Sequence, residues 1–102
     1  MKEYDIYLPL TYNDGTPIYV EAIDQIGVRL LKRFGGVTFF PQPNQGMWKM
    51  GEVVFRDQIV VFRVLTENVK SARRFLGKLK EQLKVDLEQE EILIVEKSAR
   101  AL

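Results

Sequence analysis

The chain has 102 residues with 46% hydrophobic side chains, which is enough for one ordered domain and too few for two. Its 15 basic and 14 acidic residues nearly cancel, so no overall field attracts nucleic acid or an anionic membrane. The sequence has no Cys and no His, which excludes disulfides, thiolate nucleophiles, His-based triads and the zinc and haem sites that need these ligands.

The N-terminal residues carry acids and lack the apolar run of a secretory signal. No stretch reaches the roughly 18 apolar residues that a membrane span needs. We therefore expect a cytoplasmic protein without a membrane anchor.

Residues 4–12 alternate in the way that is typical of a strand with one buried face. Its apolar side is formed by Tyr4, Ile6, Leu8, Leu10 and Tyr12. Pro9 has no backbone N–H, so we expect this strand to contain an unpaired stretch or to lie at a sheet edge. The turn formers of residues 13–17 follow it.

The first helix is predicted over residues 19–34, because apolar residues recur there at spacings of 3, 4 and 4. These residues are Ile23, Ile26, Leu30 and Phe34. Gly27 lies at the edge of this face, where a missing side chain allows close packing. Gly35 and Gly36 end the helix by supplying left-handed backbone.

Residues 37–40 read as the second strand, and residues 41–51 as either a loop or a bulged strand with a turn near Gly51. Residues 52–65 give the strongest strand signal of the chain. Their second half is apolar on both faces except for Arg63, which predicts a central position in the sheet.

The second helix is predicted over residues 69–84, with Asn68 as its N-cap and Thr66 as the competing choice. Residues 91–96 form the last predicted strand. The order βαββαβ indicates a single α+β domain over residues 1–102. Two helices on one face of a four-stranded antiparallel sheet, the ferredoxin-like sandwich, satisfy that order.

One candidate ligand site lies in the Gly/Pro-rich segment and the strand that follows it. The only Trp could stack a planar ligand while nearby cations hold an anion. The residues are Gln45, Trp48, Lys49 and Arg56. The alternative is that Trp48 covers one end of the core and the charges are solvated.

Arg63 is a second candidate, because a charge within an apolar strand needs a partner or an exposed face. It could bind an anion on the open sheet face, or pair across strands with a carboxylate. The basic residues of the second helix could contact phosphates, or form a solvated outer face. Residues 56–62 lack the Gly and paired aromatics of an RNA-recognition motif, so nucleic-acid binding is disfavoured.

The predicted central strand is apolar on both faces, although the helices cover only one. Val60, Phe62 and Val64 alternate with Ile59, Val61 and Leu65. A monomer would leave a large apolar patch exposed, so we expect a second copy to cover it in a homodimer.

Short motifs distributed over most of the chain resemble a family of short bacterial proteins of unknown function. They include residues 12–17, 35–38, 46–48, 75–87 and 89–92. This resemblance implies a ferredoxin-like fold and no established activity. A broader likeness to dimeric α+β barrel proteins implies sheets paired face to face.

The leading functional interpretation is a small self-associating domain that binds a small ligand or a protein partner. The alternative is a small cofactor-independent enzyme of the dimeric α+β barrel type. Its polar lining would be Tyr12, Trp48, Arg56 and Arg63. Neither interpretation calls for a metal or a cofactor.

Overall fold

The computed structural model describes residues 1–102 and contains six regular elements in the predicted order. They are β1 (Lys2–Pro9), α1 (Val20–Phe34), β2 (Thr38–Met50), β3 (Val53–Thr66), α2 (Val69–Asp86) and β4 (Ile94–Ser98). The predicted ferredoxin-like α+β fold is confirmed. No helix is long and apolar enough to cross a bilayer.

The sheet has the strand order β2-β3-β1-β4, and every neighbouring pair is antiparallel. β3 is a central strand, as its two apolar faces predicted. β1 is also interior, but it pairs with β4 only over residues 2–6. Pro9 therefore lies in a stretch that has no partner on the β4 side, where its missing N–H breaks no ladder.

Both helices pack on one face of this sheet and enclose the core. Alternate residues of β1 and β3 point toward them, as a period of two requires. The most deeply buried large side chains are Ile6, Leu8, Leu30, Val64, Leu79 and Ile92. A Cβ at Gly27 would lie 2.9 Å from Cε1 of Phe62, so the missing side chain lets α1 approach β3 closely.

Of the two alternatives for residues 41–51, the bulged strand is confirmed: β2 continues to Met50, with its register interrupted between Phe40 and Asn44. Two strand boundaries differ from those predicted. β1 ends at Pro9, three residues before the predicted end at Tyr12. β4 begins at Ile94, three residues later than its apolar run suggested. Ile92 is buried in the irregular segment before β4, so its hydrophobicity serves core packing and not strand pairing.

A hydrogen-bonded clamp fastens α2 to the β4 edge of the sheet. The Tyr4 hydroxyl donates to Oε1 of Glu96 at 2.7 Å. Arg73 of α2 donates to both carboxylate oxygens, at 2.7 and 2.8 Å. These hydrogen bonds, from Arg73 first and then from Tyr4, lower the pKa of Glu96 from 4.5 to about 2.

We predict that this clamp makes stability depend on pH in acid. Because folding lowers the pKa of Glu96, its stabilising contribution is present above pH 4.5 and is lost as pH falls toward about 2. The urea midpoint of Glu96→Gln should therefore fall less over this interval than that of the wild type. Glu21→Gln, which removes an exposed carboxylate of α1, is the matched control. Equal slopes for all three proteins would contradict the prediction.

Candidate functional site

The β2–β3 hairpin extends beyond the rest of the sheet. The last pair of the β1–β3 ladder joins Pro9 to Ile59, and Leu10 N donates to Gln58 O just beyond it. Residues 46–57, here called the hairpin arm, therefore pair only with each other. An isolated two-stranded hairpin is marginally stable in water, so this arm has little support from its own chain.

Large apolar side chains of the hairpin arm are exposed. They are Met47, Trp48, Met50, Val53, Val54 and Phe55, with exposed fractions between 39% and 64%. Trp48 stacks on Phe55 with ring centroids 4.4 Å apart, and its Nε1 donates to Asp57 Oδ2 at 3.1 Å. This stack orders the arm but leaves its outer surface open to solvent.

Strand alternation connects this surface to the open face of the sheet, the face that carries no helix. Trp48 lies opposite Phe55, and Met50 lies opposite Val53. All four share the side of Ile59 and Val61, because alternate residues of a strand point the same way. Asp57, which accepts the hydrogen bond from Trp48, lies in the same row between Phe55 and Ile59. The six apolar residues on either side of it, from the arm tip to the sheet centre, are here called the open-face stripe.

A network of four charged side chains follows the stripe on the open face. Arg63 donates to Asp5 through Nε at 2.8 Å and through Nη2 at 3.2 Å. Arg63 also lies 3.2 Å from Glu3, while Lys97 lies 3.3 Å from Glu3 and 3.2 Å from Asp5. Two cations and two carboxylates thus balance each other on three adjacent strands.

Asp5 is the buried centre of this network, with only 2% of its surface exposed. The hydrogen bond from Arg63 is the main cause that lowers the pKa of Asp5, and it outweighs the desolvation that would raise it. The same pairing raises the pKa of Arg63, and Asp5 and Glu3 raise that of Lys97. Asp5, Arg63 and Lys97 are therefore held in their charged forms at neutral pH.

Two surface depressions accompany these features. One, of about 270 Å³, lies on the open face beside the charge network, and is here called the open-face depression. Its lining residues are Asp5, Tyr7, Phe40, Asn44, Ile59, Val61 and Arg63. The other, of about 520 Å³, lies between the loop after β1 and the start of α1, and includes Tyr12.

The structure divides the six candidate residues of the sequence among three places. Trp48 and Arg63 lie on the open side of the hairpin and sheet. Gln45, Lys49 and Arg56 alternate onto the opposite side, so the arm does not bring these two cations to the open side with Trp48. Tyr12 borders the separate depression near α1. Of the two alternatives for Arg63, the structure contains the cross-strand carboxylate pair.

Sequence reasoning missed four residues of the open-face depression. Asp5 and Tyr7 lie on the side of β1 opposite its predicted apolar face. Phe40 and Asn44 flank the bulge of β2. The two prolines between them are the only sequence feature that indicated a break in the strand register. One signal was available in the sequence. Arg63 is the one charge in the second half of its predicted strand, and Asp5, a carboxylate in the first predicted strand, could have been proposed as its partner.

Three solved structures share this fold. A phage SAM lyase in complex with S-methyl-5'-thioadenosine has a TM-score of 0.66 at 15% identity, over 95% of this chain and 80% of the lyase chain. The apo state of a phage SAM lyase has a TM-score of 0.63 at 18% identity, over 94% and 78%. A point variant of CutA1 from Pyrococcus horikoshii OT3 has a TM-score of 0.62 at 13% identity, over 100% and 86%.

At these identities the likeness shows the fold alone. No protein-family model and no curated protein matches the chain. Membership of the family of short bacterial proteins, suggested by the short motifs, therefore stays a prediction.

Replacing the carboxylate at the centre of the network should destabilise the fold. Asp5→Asn keeps the shape but removes the charge that pairs with Arg63, so we expect a loss of about 2 kcal/mol. The measurement is urea unfolding followed by circular dichroism. Glu81→Gln is the matched control, because Glu81 pairs with Lys84 at 3.5 Å on the exposed surface and should cost under about 1 kcal/mol. A loss for Asp5→Asn no larger than that of the control would contradict the structural role of the pair.

Proposed function

We propose that this chain is a small self-associating domain whose open sheet face and hairpin arm are covered by a second copy. The observation that carries the proposal is the hairpin arm, which displays six large apolar side chains and pairs with no other strand. Exposed apolar patches of this kind mark interaction surfaces in soluble proteins, because covering them removes apolar area from water.

A second copy of the chain is compatible with this surface in charge as well as in hydrophobicity. The net charge is only +1, so two copies repel each other weakly. The charged network beside the stripe contains two cations and two carboxylates. In a two-fold interface the same patch meets itself, so a patch of balanced charge can present opposite signs to its own copy.

Light scattering over a dilution series tests the proposal. We expect a molar mass near twice 11.9 kDa at micromolar concentration. Val53→Lys places a charge on the stripe and should weaken the dimer at least tenfold, which corresponds to about 1.4 kcal/mol. Val85→Lys is the matched control, because Val85 is 75% exposed on α2, which packs on the face of the sheet opposite the open-face stripe.

Two results would overturn the proposal. One is a wild-type protein that remains at 11.9 kDa at every concentration. The other is an equal effect of Val53→Lys and Val85→Lys on association. Circular dichroism of both variants separates loss of association from loss of folding.

A second candidate function is a small cofactor-independent enzyme. It is supported by the fold shared with a phage SAM lyase that was solved with S-methyl-5'-thioadenosine, and by the open-face depression beside Asp5 and Arg63. At 15% identity we carry over no catalytic residue from the lyase. In this candidate the depression holds the substrate and the second copy excludes water from it.

This candidate predicts that the protein breaks the bond between the SAM sulfur and its amino-acid chain. The sulfur keeps the electron pair and leaves as S-methyl-5'-thioadenosine, while the amino-acid carboxylate closes on the freed carbon to form a lactone. The product is measured by chromatography after incubation with SAM, and its rate should rise in proportion to protein concentration. Val85→Lys should retain the activity, because its substitution lies on α2, away from the depression. Product formation equal to that of a protein-free blank would remove this candidate and leave the self-association proposal unaffected.

A further inference from the structure

The open-face depression is a shallow groove, here called the slot, and two aromatic side chains are among its lining residues. In the strand register, Tyr7 of β1 and Phe40 of β2 both lie opposite Val61 of β3. The three side chains form one row across the sheet, with Val61 as the floor and the aromatic residues as walls. Ile59 continues the apolar floor toward the hairpin arm.

The width of this row fits one planar ring. Two strand spacings of about 4.8 Å separate the backbones of Tyr7 and Phe40 by about 10 Å. A planar ring that contacts one side chain on each of its faces lies about 3.5–4.0 Å from each of them, so the two side chains are about 7–8 Å apart. A single planar ring standing on Val61 therefore matches the spacing of these strands.

The bulge of β2 opens one end of the slot and places an amide there. The register passes from Phe40 opposite Val61 directly to Asn44 opposite Ile59, so residues 41–43 leave the row. Asn44 Nδ2 donates to Gln42 O at 3.3 Å, which leaves the side-chain oxygen free to accept a hydrogen bond. A ligand N–H at the edge of a ring would match this acceptor.

The charge network at the other end argues for an uncharged ligand. The Arg63 guanidinium is already hydrogen-bonded to Asp5 and lies 4.9 Å from the centre of the Phe40 ring. Lys97 is likewise shared between Glu3 and Asp5. Because both cations are balanced by carboxylates, a phosphate would have to displace an existing pair and would approach Glu3 and Asp5 closely.

We infer that this slot binds an uncharged planar heteroaromatic ring with a hydrogen-bonding edge, such as the base of a nucleoside. The volume of about 270 Å³ lies just below the range of about 300–1,000 Å³ that is typical of ligand pockets, which suits a system of one or two fused rings. The inference rests on the proposed function, since a second copy over the open face would close the slot.

Isothermal titration of the full-length protein with adenosine tests the inference, with adenosine 5'-monophosphate as the charged comparison. We expect adenosine to bind and the monophosphate to bind at least tenfold more weakly. Phe40→Leu removes one wall while keeping an apolar side chain, and it should weaken adenosine binding at least tenfold. Phe75→Leu is the matched control, because Phe75 packs against Phe34 of α1 away from the slot.

Light scattering on the same samples separates this inference from the proposed function. An assembled protein that does not bind adenosine overturns the slot, because the partner's side chains would then fill it. Equal binding of the monophosphate, or equal effects of the two Phe variants, also overturns it. A monomer that binds adenosine through Phe40 supports the slot and overturns the self-association, whereas a monomer that does not bind overturns both.

Discussion

The β2–β3 ladder is longer than the strands and helices beside it, and the exposed surface of the molecule depends on this mismatch. Over residues 59–66, β3 has β1 on one side and the helices beneath it, so its inward side chains are buried. Beyond Gln58 the ladder continues without either support. The large apolar side chains of the hairpin arm are therefore exposed to solvent and not buried in a core. A chain can tolerate such an arm when another surface covers it, because the apolar area then leaves the solvent on association.

The charged network solves a different problem on the same face. β1 and β3 are interior strands, and an unpaired charge at their centre would be costly to desolvate. The two hydrogen bonds from Arg63 and the contact with Lys97 compensate Asp5. These charges can therefore be partly buried. They also restrict the orientation in which a partner can bind the open face. An apolar row alone would accept a partner in many orientations, whereas paired charges favour those that keep opposite signs together.

The periodicity of the sequence predicted both helices, because each carries one apolar stripe and one clear boundary. Gly35 ends α1, and Asn68 caps the start of α2. It also predicted β3 as central. The hairpin arm was less predictable, because prolines and glycines in residues 41–51 fit a loop as well as a bulged strand. The site could not be assembled from sequence for a related reason. The two strand positions that flank the slot, Phe40 and Asn44, are brought together only by the bulge, and a local pattern does not specify which residues a bulge removes from a row.

The same bulge that interrupts the ladder lets the arm and the depression coexist. A regular β2 would place residues 41–43 in the row beside β3 and fill the space above Ile59 with side chains. Pro41 and Pro43 have no N–H to contribute to a ladder, so releasing them from pairing sacrifices no hydrogen bond of their own. Pairing resumes at Asn44 with the alternation that points Trp48 and Met50 to the open side. The bulge therefore fixes both the acceptor at one end of the slot and the side of the arm on which the apolar row continues.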